Sequence, residues 1–240
     1  MERREFQRER DDALVTLVNT HRVVTSRLMV AGLGLDDTPS NLTIVDRRLG
    51  ILAEEKNFRR VTHEGIVYFV SFGVSMRTTG ARAQLIHRHM QSWFWATLQR
   101  AVTIKEKRTD TEFHIDKGKL IPDGFFQAKG EYFFVECNTA RDHDFEKLFE
   151  KARNYHKQTD YLCQTTVVEK GQPPIESFRV LWINRSPVRS QHMLTRFKEI
   201  GSGELFLVAD QKDIDPFNPA SILQCWRSPK TGTSAPLLEG

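Results

Sequence analysis

The sequence predicts a two-domain α/β protein: a small N-terminal unit of three helices and a hairpin, then a larger core built on a mixed sheet. Three observations carry this. Apolar residues recur at helical spacing three times before residue 57, and two short β-like runs follow. Beyond residue 112, β-like runs alternate with amphipathic helical segments, an order that gives parallel strands with helical crossovers. Between these regions, residues 120–138 read LIPDGFFQAKGEYFFVECN, setting an aspartate and a glutamate on either side of a hairpin-like turn.

The elements follow in order. Residues 8–19 read as a helix, with Ala13, Leu14, Leu17 and Val18 on one stripe. Thr25 can cap a second helix through Ala31, stopped by Gly32 and Gly34. After a turn at residues 36–40, Ser40 or Asn41 caps a third helix to Lys56, with Leu42, Val45, Leu49 and Leu52 inward; of Arg47 and Arg48 at least one faces out. Residues 58–62 and 66–70 form a hairpin about His63-Glu64-Gly65. Residues 78–82 read as a connector, and 82–100 as a long helix with Leu85, Ile86, Met90, Trp93, Phe94 and Leu98 recurring at three and four.

The second half supplies strands at 113–115, 124–128, 131–136, 178–184 and 204–209, with helices at 146–158 and 191–200. An edge strand at 222–226 and a mobile tail from Ser228 to Gly240 complete the expectation. The expected domains are therefore 1–78, 79–228 with its leading helix, and a tail 229–240.

Composition narrows the function classes. Hydrophobic residues at 39%, with sixteen Phe, supply real cores and argue against global disorder. No apolar run approaches a membrane span, and the charged opening MERREFQRERDD is unlike a signal peptide, so a cytoplasmic protein with no membrane partner is expected. Cys137, Cys163 and Cys225 form no CxxC pair, which leaves disulfide scaffolding and structural zinc unsupported. No GxSxG and no glycine-rich phosphate loop occurs. The first hundred residues carry the whole net charge of +4, and all their cations but Lys56 are arginine. Arginine matches phosphate with two parallel hydrogen bonds, which points to an acidic partner such as DNA.

Three helices followed by a hairpin resemble a winged helix. That resemblance implies a third helix in the major groove and a wing on the backbone. Carried over by position, Asn41, Thr43, Arg47 and Arg48 face bases or phosphates, and Arg59, Arg60 and His63 lie on the wing. Opposing this, Asp46, Glu54 and Glu55 would repel phosphate, and Arg48 or Arg60 can instead pair with nearby acids.

The Pro122-Asp123-Gly124 turn and Glu136 resemble the PD-(D/E)xK nuclease signature on a restriction-endonuclease-like core. Such a site implies Mg²⁺ or Mn²⁺ held by Asp123 and Glu136, with a lysine stabilising developing charge. Asn138 stands where that lysine belongs, so Lys147 or Lys151 from the next helix would have to reach in. The helix at 82–100 lacks an acid, for which Gln91 or His87 would stand in. Taken together, residues 8–210, with Pro122, Asp123, Gly124, Glu136, Asn138, Thr139, Lys147 or Lys151, and Tyr155, resemble the replication-relaxation family of plasmids and other mobile elements. The resemblance implies a DNA-binding role in replication, transfer or transcriptional regulation. Three readings stay open: a DNA-binding protein with an inactive nuclease-like domain and no cofactor; a metal-dependent endonuclease; and an adaptor that docks a protein partner or second copy on the helix at 82–100.

Overall fold

A computed structural model describes residues 2–76, 79–116, 118–139, 145–166, 174–201 and 203–238. The chain divides into two compact units: residues 1–98 with 216–219, and residues 99–215 with 220–240.

The first unit runs α1 (Glu2–His21), β1 (Val23–Val24), α2 (Ser26–Gly32), α3 (Pro39–Glu54), β2 (Arg59–His63) and β3 (Ile66–Val70), and contains most of α4 (Thr79–Ala101). Thr25 caps α2, its hydroxyl accepting from the Leu28 N–H. Thr38, not Ser40 or Asn41, caps α3, because Pro39 at the first helical position needs no N–H partner and fixes the helical φ. The β2–β3 hairpin closes on Glu64 and Gly65, whose φ of 49° and 75° give the left-handed pair that matches strand twist. Strands β1, β3 and β2 form an antiparallel sheet in that order. Leu14, Val18, Leu28, Val45, Leu49, Leu52, Phe58 and Phe69 are buried in its core. Helix α4 starts at Thr79, so most of the expected connector is helical; Thr78 lies outside the described residues.

The second unit is a mixed α/β fold. It contains β4 (Ile104–Arg108), a separate ribbon of β5 (Phe113–Ile115) and β6 (Gly118–Leu120), β7 (Gly124–Ala128), β8 (Glu131–Asn138), α5 (Phe145–Lys157), α6 (Thr159–Thr165), β9 (Arg179–Asn184), α7 (Pro187–Ile200), β10 (Phe206–Asp210), β11 (Trp226–Arg227) and β12 (Ser234–Ala235). The main sheet has seven strands in the order β12-β11-β10-β9-β8-β7-β4. β8, β9 and β10 are parallel; the strands on either side are antiparallel. Phe125, Phe134, Trp182 and Phe206 share a core with Phe149 and Tyr155 of α5 and Met193 and Phe197 of α7.

Four expectations are corrected. Residues 104–108 form β4, which the sequence does not announce because four of the five residues of IKEKR are charged, as edge strands often are. β5 pairs only with β6 and lies outside the main sheet. Residues 219–223 form a 3₁₀ turn and only Trp226–Arg227 extends as strand. Residues 229–238 of the polar C-terminal stretch hold a strand: β12 pairs with β11, and Leu237 is fully buried with its N–H on the Leu223 carbonyl at 2.9 Å.

Candidate functional site

The carboxylate pair is assembled by the β7–β8 hairpin. Gly124 pairs with Val135, and the Asp123 N–H donates to the Val135 carbonyl at 2.9 Å, which sets Asp123 across from Glu136. The Asp123 carboxylate then accepts the Cys137 N–H at 2.6 Å. Asp123 is half-buried, while Glu136 is only 5% exposed.

Helix α5 completes the site. Lys151 and Tyr155 are one turn apart and so share a face. Lys151 Nζ donates to Glu136 Oε2 at 2.6 Å and to the Ile121 carbonyl at 2.8 Å. The Tyr155 hydroxyl donates to Glu136 Oε1 at 2.7 Å. Burial pushes the Glu136 carboxyl up to about 7, against the pull of the Lys151 ammonium, with the Asp123 charge adding to the rise. Burial likewise raises the Tyr155 phenol and the Cys137 thiol well above their ordinary values. Of the two lysines offered by the sequence, Lys151 reaches the carboxylates and Lys147 is exposed to solvent. Tyr155 is buried in the core and also serves the acid, a role that its spacing from Lys151 signals.

Asn138 follows Glu136 by two positions on the same strand face and has a different task. Its amide donates to Asn184 Oδ1 at 3.0 Å and lies 3.6 Å from Met193 Sδ. Asn184 passes the chain to Ser190 at 3.1 Å, and Ser190 donates to Asp210, which faces Arg227 at 3.2 Å. Asn138, Asn184 and Asp210 end β8, β9 and β10 in register. This buried polar ladder was missed; the polar residue closing each apolar strand was its signal.

His87 and Gln91 belong to the other unit and bond each other at 3.1 Å. Among the described residues no group of three or more His, Cys, Asp or Glu could hold a metal. Asp123 and Glu136 are the carboxylates that would have to hold a Mg²⁺ or Mn²⁺ ion, which takes one or two carboxylates and completes its shell with water and phosphate, and both Glu136 oxygens are already bonded by Lys151 and Tyr155.

The cations of the first unit divide. Arg48 grips Asp11 with two hydrogen bonds, from Nε at 2.6 Å and from its terminal nitrogen. Arg59 donates to the Ser71 carbonyl at 3.1 Å and to that of Val74, and lies over the Phe72 ring. Arg47 and Arg60 are exposed. Asn41 Nδ2 braces the preceding loop through the Asp36 carbonyl at 3.0 Å, and Thr43 Oγ1 back-bonds to the Pro39 carbonyl at 2.8 Å. His63 lies 3.9 Å from Glu64. Asp46 accepts from Ser26 at 2.6 Å. On α4, Trp95 is buried and Trp93 half-buried, with the Arg27 guanidinium 5.8 Å over its ring. No helix among the described residues is long and apolar enough to cross a membrane.

No family model matches the chain, and no curated protein matches it. Among the solved structures similar to it are the following two. Protein VC1899 from Vibrio cholerae is 14% identical with a TM-score of 0.38, over 88% of this chain and 55% of that one. Can2 from Sulfobacillus thermosulfidooxidans, solved with cyclic tetra-adenylate, is 11% identical with a TM-score of 0.40, over 88% of this chain and 50% of that one. The chain spans about half the length of each.

Proposed function

We propose that this chain is a DNA-binding protein of a plasmid or other mobile element, acting in replication, transfer or transcriptional regulation. Its first unit works as a winged helix and its second is a nuclease-like core that does not cut. The observation that carries the reading is the division among the first unit's charges. Arg48 and Arg59 are bound within the unit, Asp46 is tied to Ser26, and Arg47 and Arg60 are left in solvent on α3 and the hairpin. The sealed state of Glu136, with both oxygens bonded by Lys151 and Tyr155, supports a supporting rather than a cutting role for the core.

A second reading, a Mg²⁺- or Mn²⁺-dependent endonuclease, is favoured by Lys151, which brings from α5 the ammonium that Asn138 lacks. Asp123 and Glu136 would hold the ion, which would polarise phosphate and activate water. The test is a titration of labelled duplex and branched DNA, with and without Mn²⁺, on native and denaturing gels beside an Asp123→Ala control. The first reading expects a salt-sensitive shift with intact strands, weakened by Arg47→Ala with Arg60→Ala. Cleavage that disappears in the Asp123→Ala control establishes the second.

A further inference from the structure

Helices α5 and α7 leave a hollow of about 360 Å³ between their C-terminal halves. Phe149 and Ile200 give it an apolar lining; Arg153, His156, Lys157 and Arg196 stand around it, with Glu199 its one acid. The Arg196 guanidinium lies 5.0 Å over the Phe149 ring, and two turns earlier on α7 Arg189 lies 4.9 Å over Phe145. A guanidinium stacked on a ring is held in a fixed orientation, so less freedom is lost when it meets a phosphate. The competing acids are loosely placed. Arg196 meets Glu199 at 2.9 Å and Glu146 at 3.8 Å, and Arg153 meets Glu146 at 3.7 Å, yet the Glu199 and Glu146 side chains are 56% and 78% exposed. Exposed pairs of this kind contribute little and yield readily to a phosphate. Arg153, His156 and Lys157 are themselves exposed at the mouth of the hollow.

We propose that this hollow is a second DNA contact, holding the sugar–phosphate backbone through Arg153, Lys157 and Arg196. The proposal rests on the DNA-binding reading above and adds a site on the second unit, away from Lys151 and the carboxylate pair. Backbone contact carries no sequence preference, so its loss weakens all duplexes alike.

The full-length chain, an Arg153→Gln/Lys157→Gln variant and an Arg47→Ala/Arg60→Ala variant are titrated against unrelated labelled duplexes over a series of NaCl concentrations. Thermal melting checks that each is folded. The hollow variant is expected to bind every duplex more weakly, with a salt slope smaller by about 1.8, at 0.9 for each phosphate contact removed. Should it melt early, Lys157→Gln alone is expected to lower the slope by about 0.9. A slope equal to wild type in the hollow variant, with the first-unit variant losing its own share, overturns the hollow and leaves DNA binding standing. Absence of any salt-dependent binding by the wild-type chain overturns both.

Discussion

Lys151 reaches from the middle of α5 to Glu136 on β8, its ammonium 2.6 Å from a carboxylate oxygen that solvent barely touches. The lysine end is a quarter exposed and the glutamate end almost sealed. Much of the desolvation therefore falls on the acid, and the ammonium and the Tyr155 hydroxyl compensate it together.

Removing the ammonium tests this dependence. Lys151→Met is expected to lower the unfolding free energy by about 1–3 kcal/mol, the cost of leaving a buried acceptor without its partner. Urea denaturation at neutral pH measures it. No change would mean that the pair contributes nothing to the fold.

Glu136 also leaves a signature in pH. Its folded value is raised from 4.5 to about 7, so the folded state binds more protons than the unfolded chain between those values. Stability from this group is fully present below 4.5 and is lost as pH rises through 7. Glu136→Gln removes the titration. Wild type is expected to lose stability relative to this variant between pH 5 and pH 8, read from urea midpoints.

His89 runs the other way. It packs between the Tyr68 and Trp93 rings with Nε2 3.3 Å from Thr25 Oγ1, and burial holds its imidazole down to about 4 from 6.5. Its contribution is present above 6.5 and is lost as pH falls toward 4. His89→Gln is expected to flatten the acid side of the stability profile, measured by thermal melting from pH 4 to pH 7.

Arg47 and Arg48 are neighbours with opposite expected phenotypes. Arg48→Ala breaks the two-bond grip on Asp11, whose side chain is 14% exposed, and is expected to cost about 1–3 kcal/mol of stability. Arg47→Ala is expected to leave the melting temperature unchanged while weakening DNA binding. Equal effects of both on stability would sink the distinction.

Asn138→Asp shows why an amide stands there. A carboxylate would set its oxygen against Asn184 Oδ1 in a position that is 2% exposed, replacing a donor with a repelling charge. A loss of about 1–3 kcal/mol is expected from urea denaturation, and a neutral result would free the position for a metal ligand.

The sequence by itself determined the parts that depend on local pattern. Helical spacing of Val45, Leu49 and Leu52 marked α3, and Glu64-Gly65 marked its hairpin turn. The apolar runs of β9 and β10, separated by a helix, marked parallel strands buried on both faces. The hairpin also predicted that Asp123 and Glu136 would meet, because strand pairing across a short turn is a local event. What the tertiary structure decided was everything set by contacts distant in sequence: Lys151 rather than Lys147 at Glu136, Arg48 on Asp11, the Asn138–Asn184–Ser190–Asp210 ladder, and the burial of Leu237 in a polar tail. The physical reason is that a polar side chain lowers its energy with whichever partner folding brings within about 3 Å. Only the assembled fold says which partner that is.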